Sequence, residues 1–180
     1  MGSEMCIRDS QKLGGEIHAL VAGSSSHAKA VAEAASKVQG VSKVLVSTSD
    51  AFSALLAEPI APLIESLVKS KSYTHVVAGH TAVGRDIIPR AAVCLDSSQV
   101  SDIIEVQGED TFVRPIYAGN ALATVMSKDG VKVVTVRGTA FDAASAEGGS
   151  ASVEEVDAGE VPQPTKLVQE KMSAVSYTHL

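Results

Sequence analysis

Apolar and polar positions alternate through the first half of the chain between short apolar runs and helical stripes. Glu16–Ala22 (EIHALVA) is a short apolar run ending at Gly23, the pattern of a buried strand. Ser24–Ser26 reads as a loop whose last serine caps a helix. Ala28, Val31, Ala32 and Ala35 then recur at helical spacing, and Gly40 is the stop signal. Lys43–Val46 reads as a second strand. Pro59 opens the next helix, where its missing N–H costs nothing, and Pro62 still lies in the first turn. Ile60, Leu63, Ile64, Leu67 and Val68 form one apolar stripe along that helix. His75–Gly79 (HVVAG) is a third strand, and Gly84–Leu95 a helix disturbed at Pro89. This rhythm predicts an α/β fold, a mainly parallel sheet with helices on its faces and right-handed crossovers.

After residue 99 the period changes. Val100–Gln107, Thr111–Tyr117, Ala121–Ser127 and Val131–Val136 are strand-like, with Gly119-Asn120 and Asp129-Gly130 as turn signals. These predict antiparallel strands in the second half. Pro115 points to a sheet edge or a bulge. Beyond Ala144 the chain turns Gly/Ser-rich, offers a short strand at Ser152–Val156, and reaches a linker marked by Pro162 and Pro164. Met1–Ser10 and Val175–Leu180 fit no element and read as foreign to the domain, resembling translated sequencing-adapter DNA. The expected division is a head over 1–12, a domain over 13–157, and a linker with tail over 158–180.

Bulk properties narrow the class. The apolar fraction of 45% and charged fraction of 20% are those of a globular domain. A net charge of −6 argues against a nucleic-acid surface, which needs a basic stripe. No apolar run approaches the roughly 18 residues that suggest a membrane span. Cys6 and Cys94 are too few for a disulfide framework, so a reducing compartment is the simpler expectation. Aromatic residues make up 3% and tryptophan is absent, so a stacking platform for a flavin or nucleobase is hard to build from this chain alone.

Several residues invite chemistry. Ser24-Ser25-Ser26-His27 follows a strand and opens a helix, so an anion cradle competes with an ordinary hydrogen-bonded cap; no Walker or GxGxxG pattern supports the cradle. His75 and His80 bracket the third strand, with Thr81 beginning the loop where sheet ligands commonly bind, but they lack partners at metal spacing. Cys94 lies on an apolar helix face beside Ala91 and Leu95 and reads as a buried small hydrophobe rather than a nucleophile. Ser101-Asp102, Glu105, Glu109 and Asp110 sit near turns, where carboxylates are usually solvated. Arg114 within a strand, and Arg137-Gly138-Thr139 at the end of another, suit a phosphate clamp or an ion pair at a domain interface, with the ion pair favoured. No nucleophile–base–orienter set is visible, and no residue is assigned as catalytic, cofactor-binding or metal-binding.

Five segments carry a family resemblance: LGGEIHALVAG, YTHVVAGHTAVGRDIIPRAA, SDIIEVQGEDTFVRPIYAGNALATV, VKVVTVRGTAFDAA and GGSAS. In this order they resemble the N-terminal domain of the electron transfer flavoprotein alpha subunit, over about Leu13 to Met172. The resemblance implies a domain related to adenine-nucleotide-hydrolase-like folds, joined by a linker to a C-terminal domain that holds FAD. It implies a beta-subunit partner, and an electron carrier rather than an enzyme. The intact heterodimer takes electrons from acyl-CoA and related dehydrogenases and passes them to a quinone oxidoreductase, in the mitochondrial matrix or the bacterial cytoplasm. No nucleic-acid partner or membrane insertion is implied. The family's flavin motifs fall beyond Leu180, so no FAD ligand is carried over and no cofactor is expected for this chain alone.

The family domain also begins with a strand that has no counterpart here. That strand belongs between Glu16–Ala22 and His75–Gly79, at the centre of the sheet. Its loss removes burial on the order of 10 kcal/mol, against a whole-domain stability of about 5–15 kcal/mol. The expectation is a chain at best marginally folded on its own. A different class of function, a stand-alone adenine-nucleotide-binding module of universal-stress type, is the alternative.

Overall fold

The computed structural model describes Ile7 and residues 13–159, 161–165 and 167–169. The two termini read as foreign therefore lie outside the described residues, apart from Ile7. The order is β1 (His18–Gly23), α1 (Ser25–Ser36), β2 (Lys43–Thr48), α2 (Ala57–Lys71), β3 (His75–Gly79) and α3 (Ala82–Cys94). Then come β4 (Gln99–Ile103), β5 (Glu105–Val106), β6 (Thr111–Ile116), β7 (Ala121–Met126), β8 (Lys132–Val136) and β9 (Ser152–Glu155). The expected α/β class holds: two parallel three-stranded sheets, β1-β2-β9 and β3-β8-β4, and one antiparallel sheet, β5-β6-β7.

Alternate side chains explain the layering. Leu20 and Ala22 of β1, Leu45 of β2 and Val76 of β3 face α2, whose stripe of Ile60, Leu63, Ile64, Leu67 and Val68 is buried as its spacing predicts. Ala19, Val21, Val44 and Val46 point the other way, onto Ala28 and Ala32 of α1 and onto Ile7. Val31, half-exposed at 53%, lies outside that buried face, contrary to the helical stripe read from sequence. On the other half, Val133 faces Ile88 and Ala92 of α3, while Val100, Val134 and Val136 pack on Phe112 of β6. The antiparallel sheet thus does on one half-sheet what α1 does on the other.

Three local readings are corrected. The helix cap is two residues earlier than Ser26: α1 starts at Ser25 behind Ser24, whose side chain makes no capping bond. The single strand expected over Val100–Gln107 is two, because the backbone at Asp102 turns left-handed (φ 60°) and the ladder shifts between Val100 and Ile103. Ile104 N–H then donates to Val113 of β6, carrying the chain from the parallel into the antiparallel sheet. The turn at Asp129-Gly130 does not close a hairpin either: β8 inserts in parallel between β3 and β4. Pro115 is tolerated because β5 reaches only Phe112 and Val113, leaving the outer side of β6 open at the proline.

β1 and β3, the strands expected to flank a missing central one, pair on one side only among the described residues. All their residues are half-buried, whereas β2 and β8 are buried along nearly their whole length.

Candidate functional site

Parallel strands end on the same side, and a polar cluster lies where β3, β8 and β4 do so. Thr135 of β8 is fully buried at its centre. Its Oγ1 accepts from the Asp102 N–H (3.1 Å) and from Gln99 Nε2 (3.3 Å). Both lone pairs are then used, so its hydrogen goes to His80 Nδ1 at 3.0 Å. His80 is further fixed by its own N–H, which donates to Val136. The Asp102 carboxylate accepts a fork of bonds from Arg137, through Nε at 3.0 Å and through the terminal Nη2. That hydrogen-bonded guanidinium lowers the Asp102 pKa against the opposing effect of burial, with the charges of Arg137, His80 and Arg114 adding to it. The same pairing raises the pKa of Arg137.

Arg114 sits on the inner face of β6, with Phe112, and its buried Nε has no protein partner among the described residues. Below the cluster, α3 starts at Thr81, whose hydroxyl accepts from Gly84 N–H at 3.2 Å. Gly84 is required there: a Cβ would lie 2.1 Å from the Gly79 carbonyl oxygen. Arg114 Nε aside, the hydrogen bonds of the cluster are made within it. It pins the left-handed turn at Asp102 and holds the junction between the parallel and antiparallel sheets. Arg137 serves an ion pair with Asp102, the structural role favoured from its sequence.

The remaining candidates are dispersed. Ser24, Ser26 and His27 hydrogen-bond one another in the open at the start of α1. His75 lies at the opposite end of β3 from His80, bonded to Thr74 and to the Glu109 carbonyl. Among the described residues no three His, Cys, Asp or Glu side chains converge as a metal site. Cys94 is half-buried against the α2 cluster. Asp110 accepts from its neighbour Thr111, and Glu105 from Gln107. A groove of about 220 Å³ between α1 and β9, lined by Lys29, Ala32, Glu33, Val46, Val153 and Glu155, is smaller than the roughly 300–1,000 Å³ of ordinary ligand pockets. No helix among the described residues is long and apolar enough to cross a membrane.

Sequence reasoning missed three features. Glu154 of β9 bridges Lys43 of β2 (2.8 Å) and Lys71 of α2 (2.7 Å). Its carboxyl is lowered to about 2 by hydrogen bonds from those two lysines. Tyr73, before β3, meets His18 of β1 edge-on, and its hydroxyl is hydrogen-bonded to Nδ1 at 2.5 Å. Burial, with Glu154 nearby, raises the Tyr73 pKa, opposed by Lys43. The third is a surface. Along β7 burial alternates, leaving Leu122 (63%) and Met126 (58%) exposed on the face shared with Pro115, beside Tyr117 (81%). The period-two pattern of ALATVM was the available signal for that face; the other two join residues too far apart in sequence to signal each other.

The comparisons with known proteins agree on one relationship. A family profile described as "Electron transfer flavoprotein domain" matches residues 5–161. "Electron transfer flavoprotein subunit alpha" of Pseudomonas aeruginosa is 55% identical over 150 residues, covering 83% of this chain and 47% of that protein. "Probable electron transfer flavoprotein subunit alpha, mitochondrial" of Cryptococcus neoformans is 46% identical over 173 residues, covering 94% and 50%. The similarly named Caenorhabditis elegans protein is 42% identical over 155 residues, covering 86% and 46%. The chain spans about half the length of the curated relatives it matches. On this match and this fold, the chain belongs to the electron transfer flavoprotein family and is similar to its alpha subunits over about half their length.

Proposed function

We propose that this chain is the supporting N-terminal part of an electron transfer flavoprotein alpha subunit, with residues 13–157 as its domain and 158–180 as linker and tail. The single observation that carries the reading is 55% identity to a curated alpha subunit over 150 residues. The part itself performs no catalysis. In the intact heterodimer, electrons pass from acyl-CoA and related dehydrogenases to a quinone oxidoreductase through FAD, held by residues outside this chain. The mitochondrial matrix or the bacterial cytoplasm is the setting, as relatives of both origins suggest.

The beta subunit is the partner, and the outer face of β6–β7 is the surface offered to it. Exposed Leu122, Met126 and Tyr117 beside Pro115 form an apolar patch with no internal role, the kind of surface that marks a protein contact. The test is capture of the 180-residue chain by the Pseudomonas aeruginosa beta subunit. Binding should weaken at least about tenfold, the loss of roughly 1.4 kcal/mol, in the double variant Leu122→Asp, Met126→Asp, with the melting temperature unchanged. Absence of capture by a folded chain would overturn the interface. Stoichiometric FAD on the purified chain would overturn the division of labour. An ATP-dependent rise in melting temperature without FAD would favour the nucleotide-binding module instead.

A further inference from the structure

We propose that Arg114 is the seat of a carboxylate-binding site at the junction of the parallel and antiparallel sheets, taking an Asp or Glu side chain of a partner polypeptide or a small free carboxylate. β6 carries the arginine on the same face as Phe112, which is fully buried in the cluster of Val100, Val134 and Val136. Its cross-strand neighbour on β7 is Ala123, which brings no polar atom to it. Ile104 N–H donates to the Val113 carbonyl, and Arg137 N–H to the Ile103 carbonyl, so Arg114, Asp102 and Arg137 meet at one point of the fold. Arg114 as a whole is half-buried, yet its Nε is closed off from solvent and has no hydrogen-bond partner among the described residues. The carboxylates that the fold or the sequence brings near are spoken for: Asp102 by Arg137, Asp110 by Thr111 and Glu105 by Gln107.

The junction lacks an acceptor, not a donor. Both oxygens of the Asp102 carboxylate are engaged by Arg137, through Nε and Nη2. Thr135 Oγ1 has its lone pairs filled by the Asp102 N–H and by Gln99, and its hydrogen goes to His80 Nδ1. Neither Thr135 nor that imidazole nitrogen can then accept from Arg114. Two guanidinium charges thus share one carboxylate, and one positive charge is left over. A charged donor turned away from water without a partner is costly, because its hydration is lost and nothing replaces it. The partner it calls for is an anion of single charge. A carboxylate fits: its two oxygens match the Nε–Nη edge of a guanidinium, the same edge with which Arg137 grips Asp102. A phosphate dianion would overshoot the balance and would also meet the negative charge of Asp102.

The probe is sodium acetate, added to the 180-residue chain at constant ionic strength with chloride as the reference anion, while NMR follows the Arg114 Nε–H. Acetate should shift that resonance saturably and slow its exchange with water at least about tenfold. It should also raise the melting temperature or, in a partly folded chain, the folded fraction. Arg114→Met removes the unpaired charge and keeps most of the stem, so it should melt no lower than the parent in chloride and should lose the response to acetate. A second arm reads the source of the carboxylate. In acetate-free buffer the Pseudomonas aeruginosa beta subunit should protect the same Nε–H if the group is its own, and Arg114→Lys should then bind it at least about tenfold less tightly. A response to acetate alone assigns the site to a free carboxylate. No response to either, a larger response to inorganic phosphate at equal ionic strength, or a lower melting temperature for Arg114→Met would overturn the site. So would an Nε–H already protected in chloride and unmoved by acetate, the sign of a trapped water. Only the beta-subunit arm rests on the proposed function; the acetate arm stands or falls without it.

Discussion

Asp102 shows how one residue joins two demands. Its backbone is left-handed at φ 60°, a region that costs most side chains about 1–2 kcal/mol but which aspartate tolerates. Its carboxylate meanwhile anchors Arg137, and its N–H is held by Thr135. Two substitutions separate these roles. Asp102→Gly keeps the turn and loses the ion pair; Asp102→Ala loses both, and should be the less stable of the two by about 1 kcal/mol in urea unfolding. Equal midpoints would show that the backbone turn carries no strain. Gly84 admits a sharper test. A methyl placed 2.1 Å from the Gly79 oxygen cannot be accommodated without moving the start of α3. Gly84→Ala should cost about 2 kcal/mol or more, read by the same unfolding curves.

At the scale of elements, the short strand β9 is held by a charge staple as well as by its ladder to β2. Glu154 ties it to Lys43 and, through Lys71, to the end of α2. The carboxyl is lowered from 4.5 to about 2 in the fold, so the linkage has a definite sign. Its contribution is fully present above pH 4.5 and drains away as the pH falls toward 2. Asp102, also lowered, acts in the same direction. Glu154→Gln should therefore melt below the parent chain at pH 6, with the gap closing toward pH 2; a constant gap would show that the staple is not electrostatic. The glycine-rich stretch before β9 has a related task. Gly149 N–H donates to the Lys37 carbonyl, and a Cβ at Gly149 would sit 2.3 Å from the Val38 oxygen, so the chain can cross the end of α1 there only without a side chain.

For the whole molecule, the decisive feature is a pair of parallel half-sheets, linked by their shared packing on α2 and by the Tyr73–His18 bond. Protection from amide exchange should follow that division. β2 and β8, paired on both sides and buried, should exchange slowest; β1 and β3 should exchange faster despite equal apolarity. Uniform protection across all four strands, with a cooperative thermal transition, would count against marginal stability of the chain on its own.

Much of this was legible in the sequence. The helical stripe of α2, the HVVAG strand and the switch to period two after residue 99 were each written in side-chain spacing, because burial of one face needs only local order. The family, too, was carried by linear segments, and the family profile matches residues 5–161. The sequence was silent on which strands are neighbours. Backbone hydrogen bonds are chemically the same at every residue, so nothing in KVVTV says that it lies between β3 and β4, nor in SVEE that it joins β2. For the same reason Arg137 could be recognised as a residue needing an anion, while its partner Asp102, 35 positions away, emerged only when the ends of β4 and β8 were brought side by side.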